Sequence, residues 1–402
     1  MMMKLVFFMA TACLFYIYAG YPLVLAILSW RSRIRLLCSE EYLPSVSVLI
    51  AAHNEERDIG WKIAETLAWR YPLEKLEVSI ASDASDDRTD EIVRAIRDPR
   101  VTFIRMERRG GKVRALNRLA EISHGEVLFF TDANAHIGPE ALRMLVRHFA
   151  DNQVGCVTGN SVSAAESETQ AVASTAGLYR RYEAMLRNLE SALGSVLNCD
   201  GAIFCMRAAL YQRLSPELAN DLETPMRLGA AGWKIVYEPE ALVFERDTSS
   251  PMEELKRQRR MCAQGMTAMF LLRGVFGGLR GWQFVSHKLL RWLSLIPMAA
   301  ILVSSAALAR ESVLYAGALT LQAVFYGMAG AGLVMVAANG DVARIVSVPF
   351  YVMLGLFAAQ IGVLDAIMGR RFDVWESPAM SRGGPEAPAV RSVATEVSSE
   401  GD

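Results

Sequence analysis

Apolar positions fall into two regimes along the chain. Residues 5 to 28, LVFFMATACLFYIYAGYPLVLAIL, run without a charge, and about 20 apolar residues suffice for a helix to cross a bilayer core. Runs of the same kind return at 289 to 309, 313 to 337 and 345 to 368. Between these ends the pattern shortens. SVSVLIAA (45 to 52), LEVSIASD, VTFIRM and EVLFFTD are brief β-rich runs, each followed by a polar turn and a helical stretch. In ERDIGWKIAETLAWR, for example, Ile59, Ile63 and Leu67 recur at helical spacing. Strands alternating with helices predict an α/β domain whose mostly parallel sheet is covered on both faces.

The pattern divides the chain into an N-terminal membrane anchor (1–36), a cytoplasmic α/β domain (37–264), an amphipathic interfacial segment (265–286), C-terminal transmembrane helices (287–370) and a tail (371–402). The first apolar run exceeds the core of a secretory signal and lacks a small-residue cleavage site before a polar chain, so it reads as an uncleaved anchor. Only Lys4 precedes it, whereas Arg31, Arg33 and Arg35 follow closely, which places the domain in the cytoplasm. Four spans put the tail outside, while Arg370 and Arg371 favour the inside. The segment with Arg273 and Arg280 suits a position along the interface. From about Gly383 the Pro, Ser, Gly, Ala and Glu content predicts disorder.

Composition narrows the function classes. Hydrophobic residues make up 52% of 402 residues and the formal net charge is -1, which gives no reason to propose nucleic acid as a partner. Cys13, Cys38, Cys156, Cys199, Cys205 and Cys262 show no CxxC spacing, against a zinc or disulfide framework and consistent with a reducing compartment. The membrane runs contain almost no charge, which disfavours a transporter. Asp365, the main exception, lies near a span end and is expected at the interface.

Ligands of open α/β sheets bind outside the carboxyl ends of the strands. Those tips read His53-Asn54-Glu55-Glu56, Asp83-Ala84-Ser85-Asp86-Asp87 and Asp132-Ala133-Asn134. Asp86 and Asp87 suit a turn and helix cap. Asp83 could instead accept the imide N–H of a uracil ring. RRGGKVRALN (108 to 117) joins a Gly pair to Lys112 and a helix start, which favours an anion, without P-loop or dinucleotide-fold spacing. Asp132 and Asn134 offer oxygen donors that suit Mg²⁺ or Mn²⁺, or else an Asx turn. Asp221 opens a helix and, alone, reads as an N-cap. KRQRRMCAQG (256 to 265) gathers Lys256, Arg257, Arg259 and Arg260, suited to membrane lipid headgroups and to a diphosphate leaving group.

Taken in order, AAHNEE, SDASDDRTDEI, GGKVRALN, FFTDANAHIGPEAL, DGAIF, NDLETPMRLGAAGWKIVYEPEA and KRQRRM resemble the membrane-bound family 2 glycosyltransferases with a GT-A domain, the group containing cellulose, chitin and hyaluronan synthases. The resemblance covers roughly residues 45 to 265. It implies that Asp83 contacts the uracil of a UDP-sugar, that Glu55 lies beside the nucleoside and that Lys112 lies near the diphosphate. It makes Asp132 and Asn134 the metal positions of the DxD motif and Asp221 the general base of an inverting displacement. Arg260 and the metal would stabilise the departing UDP.

Two positions depart from the family pattern. DxD is here Asp132-Ala133-Asn134, and QxxRW is here Arg257-Gln258-Arg259-Arg260-Met261. Met261 lacks the flat ring on which a processive synthase stacks its acceptor sugar. The expectation is therefore an inner-membrane, multi-pass, inverting, metal-dependent transferase in cell-surface or exopolysaccharide synthesis. It would use a nucleotide sugar, UDP-linked, and a saccharide or lipid-linked acceptor. The alternatives are a processive synthase coupled to export, with a homo-oligomer or export partner completing the channel, and a catalytically inactive scaffold that keeps the fold.

Overall fold

The computed structural model describes residues 1–31, 34–163, 175–245, 250–338 and 342–372. The disorder expected from about Gly383 lies outside them. The first apolar run forms one long helix, α1 (Met2–Arg31). The α/β domain then follows as β1 (Val46–Ala52), α2 (Ile59–Leu67), β2 (Leu76–Ser82), α3 (Thr89–Ala95), β3 (Val101–Arg105), α4 (Lys112–Ile122), β4 (Val127–Asp132) and β5 (His136–Ile137). It continues through α5 (Ala141–Val146), β6 (Val154–Ser163), α6 (Thr175–Ser191), β7 (Phe204–Arg207), α7 (Asn220–Ala230) and β8 (Lys234–Glu245).

The described strands form one eight-stranded sheet in the order β3-β2-β1-β4-β7-β6-β8-β5. β1 to β4 pair in parallel, and β6 pairs in parallel with β8. β7 runs antiparallel between β4 and β6, and β5 antiparallel to β8. The sheet is thus mostly parallel, as the alternation of periods predicts. Register fixes where the chemistry goes: Ala52 lies opposite Ser82 and Ala51 opposite Asp132, so the tips holding His53, Asp83 and Asp132 leave the sheet at one edge.

Each inner strand is buried on both faces, and successive side chains alternate between them. Val48, Ile50 and Phe129 enter one core with Ile63, Leu142 and Phe149. Leu49 and Phe130 enter the other with Leu116, Leu119 and Phe204. Adjacent residues of β4 therefore serve opposite layers: Phe129 packs edge-on to Trp69 at 5.3 Å, and Phe130 stacks on Phe204 at 4.5 Å. Truncating either ring would cost about 3–5 kcal/mol.

Beyond the domain lie α8 (Pro251–Leu271), α9 (Gly278–Trp292), α10 (Leu295–Leu308), α11 (Val313–Ala337) and α12 (Arg344–Ile367). Among the described residues three helices, α1, α11 and α12, are long and apolar enough to cross a membrane; the bent pair α9–α10 makes a fourth candidate. The run at 289 to 309 is thus not one straight helix. It breaks between Trp292 and Leu295 with a 56° bend, because Pro297 has no N–H to donate and its ring crowds the carbonyl of Leu293. Residues 265 to 271 belong to α8. Phe276, Phe284 and Trp292 of the segment that follows pack on Leu197, Leu222 and Met226 of the α/β domain.

α1 meets the far membrane helices through Phe7, Ala10, Ile301, Leu308 and Tyr315, and Lys4 pairs with Glu311 at 2.7 Å. α12 lies so close to α8 that a Cβ on Gly362 would come within 2.3 Å of the Arg259 carbonyl oxygen. Asp365, expected at the membrane interface, is buried between Arg259 at 2.5 Å and Arg370 at 3.1 Å. Two cations supply what water would have supplied.

Candidate active site

The first two tips lock onto each other. His53 Nδ1 lies 2.9 Å from the Asp83 carbonyl oxygen, Asn54 N–H donates to Ser85 Oγ at 3.1 Å, and Asn54 Oδ1 accepts from Asp86 N–H at 2.8 Å. Asn54 and Ala84 both hold positive φ, a conformation most residues avoid. Glu55 is buried, its N–H donates to Thr89 Oγ1 at 2.8 Å, and its carbonyl accepts the N–H of Ile59 at the start of α2. Asp87 closes the turn that leads into α3, accepting from Thr89 N–H at 2.9 Å.

Asp83 is buried, and its carboxylate takes the two backbone N–H groups of the Gly pair: Gly110 on Oδ1 at 2.7 Å and Gly111 on Oδ2 at 2.8 Å. Gly111 has φ +87° just before α4, a turn that glycine adopts without a Cβ penalty. The sequence RRGGK therefore ends as a loop held by Asp83, with Lys112 projecting from the first turn of α4. Each Asp83 oxygen keeps a further lone-pair direction for a ligand.

Lys112 bridges to the third tip. Its Nζ pairs with Asp132 Oδ1 and lies 3.4 Å from the Gly201 carbonyl oxygen. Burial pushes this amine down, but Asp132, Asp221 and Glu245 outweigh it, and its pKa lies above the ordinary lysine value. Asp221, on the first turn of α7, leans over Gly201, where a Cβ would stand 3.5 Å from its Oδ2. Its backbone carbonyl accepts from Cys199 N–H at 2.8 Å. Burial raises the Asp221 carboxyl above the usual range; Lys112 pulls it down, while Asp200 and Asp132 push it up.

Two further acids complete this end. Asp200 faces Arg187 at 3.6 Å and accepts from Ala202 N–H at 3.2 Å, yet burial raises its pKa. Glu245, at the carboxyl end of β8, accepts from Ser161 Oγ at 2.6 Å and is pushed up to about 7 by burial, Asp200 and Asp132. Sequence reasoning named neither as a site residue. Applying the strand-tip rule to β8 would have found Glu245, and Asp200 stands in the quoted DGAIF stretch.

The turn Asp132-Ala133-Asn134 is supported from behind. Lys62, fully buried on α2, donates to the Ala135 carbonyl at 2.6 Å, and burial lowers its amine to about 8. Glu65 accepts from Ile137 N–H at 3.2 Å, and the Trp61 ring packs against His136 with centroids 3.7 Å apart and planes tilted by 44°. Asn134 itself is half-buried. Among the described residues no group of three His, Cys, Asp or Glu side chains is arranged to hold a metal. The basic run on α8 divides: Arg257 bonds Glu254 at 2.9 and 3.0 Å and feels the Glu245 charge, Arg259 goes to Asp365, and Arg260 is half-buried.

The edge therefore brings Glu55, Asp83, Lys112, Asp132 and Asp221 to one side of a sheet with a nucleotide-diphospho-sugar transferase layout. The profile of the family described as "Glycosyltransferase like family 2" matches residues 44–263. The chain belongs to that family. It is similar to "Probable glycosyltransferase YdaM" of Bacillus subtilis, at 28% identity over 56% of this chain and 55% of that one. It is also similar to poly-beta-1,6-N-acetyl-D-glucosamine synthase of Staphylococcus aureus, at 25% over 62% and 60%. With the beta-monoglucosyldiacylglycerol synthase of Synechocystis it shares 26% over 64% and 56%. The chain spans little more than half the length of these curated relatives. Among solved structures, the mannosyltransferase PcManGT from Pyrobaculum calidifontis, in complex with GDP-Man and Mn²⁺, aligns with a TM-score of 0.65 at 21% identity, covering 89% of this chain and 99% of that one. That likeness supports the GT-A fold.

Proposed function

We propose that the chain is a membrane-embedded, inverting transferase that moves one sugar from a nucleotide sugar, UDP-linked, to a lipid-linked or saccharide acceptor in cell-surface polysaccharide synthesis. The observation that carries this reading is the placement of Asp221: half-buried, raised in pKa, and set across Gly201 from Lys112. A base works best when its pKa approaches the working pH. Asp221 removes the proton from the acceptor hydroxyl as that oxygen bonds to the anomeric carbon. The bond from that carbon to the diphosphate oxygen breaks, and the nucleoside diphosphate leaves with the electron pair. Attack from the face opposite the leaving group gives inversion.

Asp83 and Glu55 line the nucleoside end, and Lys112, released from Asp132, meets the diphosphate. The oxygen donors of Asp132 and Asn134 fit a hard divalent cation, Mg²⁺ or Mn²⁺, which commonly takes one or two carboxylates and completes its shell with water and substrate phosphates. When bound, that ion supplies positive charge to the diphosphate. Arg260 of α8 adds charge for the leaving group. The catalytic domain faces the cytoplasm of an inner-membrane protein, as the arginines after α1 favour. Met261 is exposed and presents no flat ring, which supports single addition over processive export.

Membranes containing the protein, offered a panel of radiolabelled nucleotide sugars with Mn²⁺, test the reading. Transfer of one sugar by wild type and none by Asp221→Asn supports it. A product ladder supports the processive synthase related to the polymer-forming relatives. Equal background from both proteins refutes an enzyme and leaves the inactive scaffold.

A further inference from the structure

A buried ionic cluster joins the membrane helices to the loop that carries the acids. Glu190, at the end of α6, is fully buried. Its Oε1 accepts from Tyr21 Oη of α1 at 2.7 Å and lies 2.7 Å from His287 Nδ1 of α9. Its Oε2 accepts from Leu197 N–H at 3.3 Å. Its backbone carbonyl accepts from Ser195 N–H at 3.0 Å, and Ser195 Oγ accepts from Gln283 Nε2 of α9 at 2.8 Å. The other nitrogen of His287 faces Glu183 at 3.2 Å, and Glu183 in turn holds Arg291 at 2.5 Å and Lys288 at 3.5 Å.

The loop so gripped is short and runs straight into the site. Two residues past Leu197, Cys199 N–H holds the carbonyl of Asp221. Asp200 and Gly201 follow, the latter lying under the Asp221 carboxylate and within reach of Lys112. Leu197 packs with Met226 of α7 and Phe284 of α9. A carboxylate buried at such cost needs its partners, and removing it leaves the Tyr21 hydroxyl and the Leu197 N–H without their acceptor. α1, α9 and this loop therefore share one acceptor group.

We propose that Glu190 is a positioning residue for the reaction: it sets Asp221 and the Asp200–Gly201 turn relative to the membrane helices, so that the base is placed where a membrane-borne acceptor presents its hydroxyl. This rests on the assignment of Asp221 as base. A side chain that only stabilised the fold would change the amount of folded protein. A positioning role changes the chemistry per folded molecule.

The test uses the full-length protein in detergent or nanodiscs, with Glu190→Gln, Glu190→Ala and Tyr21→Phe. Both Glu190 variants should lose about 10–100-fold in kcat with little change in KM for the nucleotide sugar, and should move the acidic limb of the pH profile, because Asp221 loses its setting. Tyr21→Phe should show the same pattern at smaller amplitude. Wild-type kcat and an unmoved acidic limb in folded Glu190→Gln overturn the proposal; if Glu190→Ala does not fold, Glu190→Gln and Tyr21→Phe decide it. Wild type that transfers no sugar sinks the catalytic reading instead. Hydrogen exchange at the Leu197 and Cys199 amides then decides the linkage: faster exchange at both in Glu190→Gln is expected, and unchanged exchange refutes it.

Discussion

Asp83 and Asp221 stand on the same sheet edge but are held in opposite ways. Asp83 has a backbone N–H on each oxygen, supplied by Gly110 and Gly111. Asp221 lies among carboxylates, with Lys112 as the cation that pulls its pKa down. Backbone donors fix a carboxylate in place, which suits recognition. Burial, joined by neighbouring acids, makes a proton easier to hold, which suits a group that must accept one during turnover. In the proposed reaction, binding and chemistry are separated along one edge, with Lys112 and the Asp132 turn between them.

The sharpest way to break this comparison is Asp221→Asn, which should lower transfer by about 10²–10⁴-fold while nucleotide binding, measured by calorimetry, stays near wild type. Loss of binding would put Asp221 on the recognition side. Lys112→Met comes next, with kcat/KM reduced by about 10–100-fold through loss of a charge-assisted contact. It also has a signed pH effect. Asp221 must be ionised to act, so activity falls as pH drops through its pKa; removing the ammonium raises that pKa further, and the acidic limb of the profile should move to higher pH.

Asp83→Ala should act on recognition and stability and spare the chemical step. It leaves two buried N–H groups without acceptors, at about 1–3 kcal/mol, seen as a lower melting temperature and a higher KM with kcat nearly kept. The smallest effect falls on the middle of the edge. Asn134→Ala should weaken the metal dependence a few-fold, by about 1 kcal/mol, and Asn134→Asp should keep or strengthen it; identical metal titrations for all three proteins would make Asn134 a turn residue only.

Much of this edge was legible in the sequence because it rests on local rules. Apolar runs of seven or so residues ending in Asp83 and Asp132 announce parallel strands and their tips, and the Gly pair before Lys112 announces a loop and helix start. The rest depends on partners far apart in the chain. Nothing local to Asp83 says that its carboxylate closes the Gly110–Gly111 loop. The reversal of β7 and the pairing of β5 with β8 are set by tertiary packing of short strands. Lys62 looks like a surface lysine on an amphipathic helix until the Ala135 carbonyl is brought over it. Glu190 and His287 are 97 residues apart, and no periodicity marks them as one cluster.

The chain leaves the catalytic domain through α8, and by Asp365 and Arg371 it is back on it, Asp365 held by Arg259 and Arg371 paired with Glu217. At the other end of the helices the Lys4–Glu311 pair puts the α10–α11 junction beside the start of α1. With α12 pressed along α8 at Gly362, the last apolar helix closes a ring that opens where the chain leaves the domain.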